Sequence, residues 1–359
     1  MSKKIIFCAG GTGGHIFPAV NLMKHFFDLG YDVLLVTDNR GNKFIKNHTK
    51  LRSHILNTWT PTNKNIFKKI ISYFLILYSI IKSIIIIKKE KPNLIVGFGG
   101  YVSFPPCFAS NFFKLPLVIY ENNIVIGRAN KHLLHYSKKM LIAKKIIENY
   151  PKKFRNKIHE VGSILNKQVI NYTYKEKSKY KEKICILVLG GSQGAEVFGT
   201  VIPQAIKQLK DNGYNVEINQ QCVLKQKDSL ISFYNKNNIK NYVFEFEKNI
   251  SNLILSSNLA ITRCGASTTS ELAYTLVPFI GVPLADSIDN HQYLNLKYYE
   301  NQGCGWLLEQ KNFNTDNLLN LIIEIIKNKN KLENTRQSIK NSVTRNVYKN
   351  IENEIKELI

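Results

Sequence analysis

A short unit of sequence occurs twice in this chain, once at its beginning and once near its middle. Residues 3–15 read KKIIFCAGGTGGH, and residues 183–195 read KICILVLGGSQGA. Each unit is an apolar strand, a glycine pair, a hydroxyl residue and another glycine, and each precedes a helix-like stretch and a second strand. The repeat predicts two β-α-β folds in one chain, and 359 residues is a length that suits two domains.

Further apolar runs extend both halves. They are predicted as strands at 93–100, 115–121 and 139–144 in the first half, and at 241–246, 258–263 and 277–283 in the second. Continuous apolar strands that alternate with helices are typical of parallel sheets covered on both faces. The predicted fold class is therefore α/β, with two Rossmann-like domains whose parallel sheets face a central cleft.

The domain boundary is expected just after Gly162, because the polar segment 171–183 that follows resembles an exposed connector. This gives a first domain over 1–162 and a second over 163–340. Val347, Ile351 and Ile355 recur at helical spacing, which predicts a docked C-terminal helix within 341–359.

Composition narrows the class of protein less than the repeat does. The formal net charge of +24 would suit nucleic acid, an anionic membrane or a polyanionic substrate, and compositional drift in a chain rich in Lys, Asn and Ile explains it equally well. The six cysteines form no C-x-x-C pair, which argues against a zinc site or a disulfide framework and favours a reducing cytoplasm. The first apolar run is too short for a signal peptide.

Glycine loops between a strand and a helix let backbone amides approach an anion closely. Neither repeated loop spells the dinucleotide fingerprint, and in the first loop Ile16 occupies the last glycine position. No G-K-[ST] motif is present either. A third glycine loop, GFGGY, occurs at 97–101. Tight turns without a ligand are the alternative, but three such loops at the carboxyl ends of predicted strands favour phosphate binding.

The segment RCGASTTSE (263–271) is a fourth candidate element. Its amides and hydroxyls would open a helix that binds phosphate, and Glu271 would accept hydrogen bonds from a ribose diol. The alternative is a capping box in which Ser267 or Thr268 caps the helix and Glu271 completes the box.

Six motifs occur together in one order, and with them the chain resembles the MurG family. The motifs are GGTGGH (10–15), GFGGYVS (97–103), YENN (120–123), GGSQGA (190–195), RCGASTTSE (263–271) and DNHQY (289–293). Members are UDP-N-acetylglucosamine:lipid I N-acetylglucosaminyltransferases of peptidoglycan synthesis. The resemblance runs from the first strand to about residue 310. It implies a GT-B fold with the C-terminal helix packed back on the first domain.

The same resemblance implies the reaction and its location. GlcNAc would pass from UDP-GlcNAc to the 4-hydroxyl of MurNAc in lipid I, with inversion and a β-1,4 linkage, to form lipid II. The enzyme would be a peripheral protein on the cytoplasmic face of the bacterial inner membrane. No D-x-D motif precedes the donor site, so neither a metal nor another cofactor is expected.

Site residues follow from matching positions in the motifs. The donor site would contain Thr12, Gly13, Gly14, Asn123, Asn166, Ser192, Glu247, Ala266, Ser267, Thr268, Thr269, Ser270, Glu271 and Gln292. The loops of the acceptor diphosphate would contain Gly10, Gly11, Gly99, Gly100 and Tyr101. His15 is the candidate general base, and Glu121 is a second candidate or the residue that orients the first. A histidine that only binds phosphate is the alternative for His15.

Three positions depart from the family pattern. Asn166 stands where an arginine is usual, which puts one uracil or phosphate contact in doubt. Glu247 replaces an apolar residue, and Phe104 replaces a common glycine in the acceptor loop. These changes suggest a diverged member of the family.

Residues 66–89 form the most apolar stretch. From Ile70 to Ile87 the stretch nearly reaches the length of about 20 residues that spans a membrane. Lys82 inside it, the lysines at 68, 69, 88 and 89 that flank it, and its place between two strands favour a crossover helix that rests on the membrane interface. A transmembrane helix and a fully buried helix are the alternatives.

Four other functions remain open on the sequence. A second GT-B enzyme, such as a diacylglycerol glycosyltransferase, and a UDP-GlcNAc 2-epimerase-like enzyme would share the fold. A dehydrogenase would use Asp38 to hold a ribose, but the glycine fingerprint is broken. A basic binding module would cluster its lysines on one face, whereas they are spread throughout the chain, so nucleic acid is not expected as a partner.

Overall fold

The structure is a computed structural model that describes residues 2–11, 13–45, 51–56, 66–171, 183–191 and 195–359, without the side chains of 44, 66–69, 288 and 329. The described chain divides into two compact units. The first comprises Met1–Asn166 together with Thr344–Ile359, and the second comprises Lys167–Val343. The first unit therefore reaches four residues beyond the boundary expected after Gly162. The cleft that the sequence predicts between the two units stays a prediction.

The first unit is built on a seven-stranded parallel sheet. Its strands are β1 (Lys4–Cys8), β2 (Asp32–Thr37), β3 (Arg52–Ile55), β4 (Leu94–Gly97), β5 (Leu117–Glu121), β6 (Lys139–Ile142) and β7 (Ile158–Glu160). They lie in the order β3-β2-β1-β4-β5-β6-β7. The central strands are buried along almost their whole length, as the continuous apolar runs predict.

Helices connect these strands and cover the sheet. They are α1 (Gly13–Asp28), α2 (Asn39–Ile45), α3 (Ile66–Glu90), α4 (Phe104–Ala109) and α5 (Arg128–Leu133), with short 3-10 turns at Ser110–Phe113 and Lys152–Lys157.

The second unit repeats the plan with six parallel strands. They are β8 (Ile184–Leu189), β9 (Val216–Gln221), β10 (Lys240–Phe244), β11 (Leu259–Thr262), β12 (Phe279–Gly281) and β13 (Gly305–Leu307). Its helices are α6 (Lys167–Ile170), α7 (Phe198–Asp211), α8 (Lys227–Lys236), α9 (Ile250–Ser256), α10 (Ala266–Tyr274), α11 (His291–Glu300), α12 (Thr315–Lys327) and α13 (Lys329–Ser342). The strand order is β10-β9-β8-β11-β12-β13.

The two units therefore share one topology, and the α/β fold class with two Rossmann-like sheets is confirmed. In each unit the first strand lies between the second and the fourth, so the strand order reverses beside it. Open α/β sheets bind ligands at this switch point, outside the carboxyl ends of the strands. The switch points here are β1/β4 in the first unit and β8/β11 in the second.

The last helix, α14 (Val347–Lys356), belongs to the first unit. Its apolar residues Ile351 and Ile355 are fully buried. Glu352 Oε1 lies 2.9 Å from His25 Nε2, and the Tyr348 hydroxyl donates to Leu165 O at 2.6 Å. Apolar burial, a histidine–carboxylate contact and a buried hydrogen bond thus attach the end of the chain to the rest of the first unit.

Helix α3 joins β3 to β4 of the same sheet, so it is a crossover helix. The alternative of a fully buried helix is wrong, because one face of α3 is exposed. The apolar face of α3 consists of eight large side chains with exposed fractions from 47% to 69%: Ile70, Ile71, Tyr73, Phe74, Leu77, Tyr78, Ile81 and Ile85. The opposite side is lined by buried Ser72, Ser79 and Ser83. Among the described residues, Ile70–Glu90 is the one helix whose length and composition would allow it to cross a membrane.

All six cysteines lie in the described residues and are free, five of them buried. The absence of a disulfide framework, expected from their spacing, is confirmed.

Candidate functional site

The first glycine loop connects β1 to α1 at the switch point of the first unit. Gly11 has a φ of +86° and donates its amide to Asp38 Oδ2 at 3.2 Å. A side chain at Gly10 would meet Val102 Cγ2 at 2.6 Å, so this loop lies against the segment that follows β4. Thr12 lies outside the described residues, and Gly13 and Gly14 form the start of α1.

Asp38 holds this loop in place. Its Oδ1 accepts the Gly41 amide at 2.8 Å, and its Oδ2 accepts Arg40 Nε at 3.1 Å in addition to the Gly11 amide. A carboxylate with these three donors braces the backbone and is not presented to a ribose. The geometry therefore opposes the dehydrogenase alternative.

The third glycine loop packs against the first and against His15. Gly99 and Gly100 have φ values of +81° and +76°, a region that favours glycine. A Cβ at Gly100 would lie 2.8 Å from Gly10 O and 3.5 Å from His15 Cδ2, and one at Gly99 would lie 3.4 Å from His15 Nδ1. The structure therefore brings together Gly10, Gly99, Gly100 and His15, with the half-buried Tyr101 next in the chain.

Glu121 ends β5 in the same unit and is only 2% exposed. Its Oε1 accepts the backbone amide and Nδ2 of Asn123 at 3.1 and 3.0 Å, and its Oε2 accepts the Gly127 amide and Asn130 Nδ2, both at 2.9 Å. Four donors on one buried carboxylate fix the loop after β5. This arrangement favours an anchoring role for Glu121 over that of a base. It also uses the side-chain nitrogen of Asn123, a residue predicted to belong to the donor site.

A buried lysine accompanies this carboxylate. Lys144 follows β6, the neighbour of β5, and its Nζ donates to Asn122 O at 3.2 Å. Burial lowers the pKa of Lys144 to about 8, against the opposing influence of the Glu121 charge. Lys144 was not among the residues predicted for the site, although a lysine at the end of an apolar strand is a usable signal.

The second glycine loop lies at the switch point of the second unit. Gly190 donates its amide to Gln221 Oε1 at 3.1 Å, and Gly191 has a φ of +81°. A Cβ at Gly191 would lie 3.9 Å from Arg263 Cβ, so the loop approaches the segment that follows β11. Ser192 lies outside the described residues.

Arg263 is a second residue that the sequence analysis did not assign. It is 8% exposed, donates Nη1 to Val282 O at 2.9 Å and lies 4.9 Å from the centre of the Phe198 ring. A buried guanidinium held by a carbonyl and an aromatic face fixes the turn between β11 and α10.

Helix α10 starts directly after this turn. Its N-cap is Gly265, and no side chain caps the helix start, so the capping-box alternative for Ser267, Thr268 and Glu271 is wrong. The amides of Ala266, Ser267 and Thr268 therefore open a nine-residue helix without a capping side chain, which is the geometry that favours an anion.

The hydroxyls of this segment have different uses. Thr269 Oγ1 donates to Gly265 O and Ala266 O, both at 3.2 Å, and Ser270 Oγ lies 3.4 Å from the Tyr299 hydroxyl. Both side chains are buried, and the Thr269 amide already donates to Gly265 O at 3.0 Å, so Thr269 presents neither its hydroxyl nor its amide to a ligand. Glu271, further along the helix, has its pKa raised to about 7 by burial.

Two other predicted donor residues lie at the same edge of this sheet. Glu247 follows β10, and its carboxylate accepts the Asn249 amide and the Tyr242 hydroxyl, both at 2.7 Å, which lowers its pKa. Gln292 Oε1 accepts the Leu284 amide at 2.9 Å. Both side chains thus hold their own loops.

Asn166 is exposed and is the last residue of the first unit before α6. Among the described residues, no three His, Cys, Asp or Glu side chains are grouped as a metal site would need.

Two Rossmann-like units, each with a glycine loop at its switch point, are the architecture of GT-B glycosyltransferases. A crystal structure of MurG from Acinetobacter baumannii shares this fold, with a TM-score of 0.82, 23% identity and coverage of 99% of this chain and 100% of that chain. The glycosyltransferase family 28 N-terminal domain matches residues 5–142, and the C-terminal domain of the same family matches residues 185–351.

Close relatives carry one common name, UDP-N-acetylglucosamine--N-acetylmuramyl-(pentapeptide) pyrophosphoryl-undecaprenol N-acetylglucosamine transferase. The relative from Pelagibacter ubique is 35% identical over 98% of this chain and 97% of its own length. The relative from Rickettsia canadensis is 37% identical over 94% of each chain. The chain belongs to this MurG family of glycosyltransferases.

Proposed function

We propose that this protein transfers N-acetylglucosamine from UDP-GlcNAc to an N-acetylmuramyl-(pentapeptide) pyrophosphoryl-undecaprenol acceptor, lipid I, and so forms lipid II. One observation carries the proposal: a relative named for this reaction matches 98% of the chain, through both units and both switch points. The two remaining GT-B alternatives would use the same fold, and the acceptor distinguishes them.

The second unit is the proposed donor site. The opening amides of α10 receive the diphosphate, and the helix dipole favours its negative charge as the bond to the sugar breaks. The ribose hydroxyls donate to Glu271. Because burial raises the pKa of Glu271 to about 7, hydrogen bonds to its ionised form couple donor binding to the loss of a proton.

The first unit is the proposed acceptor site. The amides around Gly11 and Gly99 receive the acceptor diphosphate, and His15 lies against both loops. His15 takes the proton of the attacking 4-hydroxyl while its oxygen bonds to the anomeric carbon of GlcNAc. UDP leaves with the electron pair of the broken bond, and attack from the opposite side inverts the anomeric centre to give a β-1,4 linkage.

Transfer of radiolabelled GlcNAc from UDP-GlcNAc to a lipid I analogue tests this proposal. We expect wild-type transfer that survives EDTA, at least 100-fold loss in His15→Ala, and a similar loss in Glu271→Ala. Matched controls are His132→Ala, an exposed histidine of α5, and Glu324→Ala, an exposed glutamate of α12, and both should retain activity. No wild-type transfer to lipid I, or transfer to diacylglycerol instead, would refute the proposal.

We also infer that the protein works at the cytoplasmic face of the plasma membrane as a peripheral protein. The apolar face of α3 is too large to be an ordinary exposed surface. The exposed Lys88 and Lys89 end the helix, and Phe112, 61% exposed, follows α4, which packs on α3. Apolar side chains with flanking lysines suit an interface that contains anionic lipid, where each lysine adds about 1 kcal/mol. Nucleic acid is not a proposed partner.

Flotation with vesicles that contain anionic lipid tests the membrane contact. Leu77→Glu removes an apolar side chain that is 56% exposed on this face, and Leu224→Glu is its match in the second unit, where Leu224 is 67% exposed. Burial of a leucine contributes about 1.5–3 kcal/mol, so Leu77→Glu should lower binding at least tenfold. Equal binding by both variants would oppose a role for α3.

A further inference from the structure

Asn130 is a buried residue of α5 whose amide orientation is fixed by its partners. Its side chain is 1% exposed, and Nδ2 donates to Tyr120 O at 3.0 Å and to Glu121 Oε2 at 2.9 Å. Both partners are acceptors, so the amide nitrogen has to face them. The carbonyl oxygen, Oδ1, is thereby held on the other side of the group.

This Oδ1 atom is buried and has no hydrogen-bond donor among the residues that the structure describes. A buried acceptor without a donor costs about 1–3 kcal/mol, and such atoms are rare outside functional sites. Asn130 therefore carries a hydrogen-bonding capacity that the folded chain around it does not use.

The same amide group and the His15 ring both face Gly99. A Cβ built on Gly99 would lie 3.4 Å from Asn130 Nδ2, 3.3 Å from His15 Cε1 and 3.4 Å from His15 Nδ1. Since glycine has no side chain, nothing from this residue stands between the imidazole and the amide. Gly100 supports the other edge of the ring, with its Cβ position 3.5 Å from His15 Cδ2.

Glu121 cannot fill the role of partner to this histidine. Its two oxygens already accept four N–H donors, one of them from Asn130. Asn130 Oδ1 is a buried acceptor in this corner of the site that has no donor among the described residues. Hydrogen bonds of catalytic histidines are often long in an empty site and shorten when the substrate is bound.

We propose that Asn130 is the positioning residue of His15: its Oδ1 accepts the Nδ1–H of the imidazole and so leaves Nε2 to receive the proton of the acceptor hydroxyl. The inference rests on the proposed function, in which His15 is the base. A neutral imidazole has one N–H, and the partner of that N–H decides which nitrogen is the base. Asn130 in turn is held by Glu121, so the buried carboxylate acts through the amide.

Double-mutant cycles separate this role from a purely structural one. We expect Asn130→Ser to lower kcat about tenfold or more with little change in the KM for UDP-GlcNAc, and to have less than a twofold effect in a His15→Ala background. Circular dichroism and UDP binding should match the wild type. If Asn130→Ser keeps its full effect without His15, Asn130 is only a support for Glu121 and the proposal is wrong.

A second measurement needs no enzymatic activity. In wild-type protein with ¹⁵N-labelled histidine, the ring nitrogen signals of His15 should show the proton on Nδ1. A titration of Asn130→Ser should give a pKa of His15 that is lower by about half a unit or more, because a carbonyl facing the ring stabilises its charged form. A proton mainly on Nε2 overturns the proposal even if lipid I is the acceptor. Absence of transfer by the wild type, with the Nδ1 proton observed, would instead reject only the proposed function.

Discussion

The buried position of Glu271 in α10 should lower the stability of the folded protein by a measurable amount at neutral pH. Burial raises its pKa from 4.5 to about 7, so the folded protein holds a proton on Glu271 at pH values where the unfolded chain has lost it. For an acid whose pKa rises on folding, the stability it contributes is complete below about pH 4.5 and is lost as the pH rises to about 7. At 1.36 kcal/mol per unit, the loss amounts to at most about 3 kcal/mol above pH 7.

Glu271→Gln removes this ionisation and keeps the shape of the side chain. In urea unfolding without nucleotide, the variant should be about 1–3 kcal/mol more stable than the wild type at pH 8 and no more stable at pH 5. Glu324→Gln is the matched control, because Glu324 is an exposed residue of α12, and its effect should be small at both pH values. An equal gain for Glu271→Gln at pH 5 and pH 8 would refute the reasoning.

The same residue predicts a proton linked to nucleotide binding. At pH 7 about half of the Glu271 carboxyls are protonated in the free protein, and ribose hydroxyls that donate to the carboxylate would release that fraction. Calorimetry of UDP binding in two buffers with different ionisation enthalpies should detect about half a proton released per UDP. Glu271→Gln should bind UDP more weakly and release none. Proton-free binding by the wild type would exclude the ribose contact.

Two further predictions concern the first unit. Gly100→Ala places a Cβ within 2.8 Å of Gly10 O at a φ of +76°, so GlcNAc transfer should fall at least tenfold while UDP binding stays unchanged. Gly30→Ala is the matched control, because Gly30 has a similar φ of +87° but no atom within 4 Å of its Cβ position. An activity assay should find Gly30→Ala nearly as active as the wild type. Burial would raise the pKa of Glu352, but the hydrogen bonds from His25 and Lys356 lower it overall, so the stabilisation is present above about pH 4.5 and is lost as the pH falls below that value. Glu352→Gln should therefore lower the Tm at pH 7 by a few degrees and change it little at pH 3.5, and a calorimetric Tm shift that does not depend on pH would contradict this.

The sheets were predictable wherever a strand is buried on both faces. Continuous apolar runs identified the central strands, and the repeated glycine units identified both first strands. The strands β3, β7 and β13 were not predicted. Each is an edge strand of three or four residues that pairs with one neighbour only, and β3 has a polar sequence, RSHI. Short edge strands leave little of the apolar pattern on which such predictions depend.

The positions of the site loops were also predictable, because parallel strands bring their carboxyl ends to one edge of a sheet. The side-chain partners were not. Asp38 suggested a ribose ligand from its place after β2, but its oxygens brace Gly11 and the start of α2. Lys144 and Glu121 are far apart in the sequence and meet only because β6 pairs with β5. Such contacts depend on strand order, which a single sequence does not reveal.

The two units share a strand order, but different functional groups follow the carboxyl ends of their strands. Beside β8 and β11, the second unit presents the opening amides of a helix and a carboxyl whose pKa burial raises to about 7, and both suit the proposed binding of a charged nucleotide. Beside β1 and β4, the first unit adds an imidazole to its glycine loops, and the buried Glu121 accepts a hydrogen bond from Asn130 and interacts electrostatically with Lys144. Loss of the Glu121 charge would therefore affect both Asn130 and Lys144. Glu121→Gln should lower kcat more than it raises the KM for UDP-GlcNAc, whereas Glu271→Gln should do the reverse, because each acts on the site of its own unit.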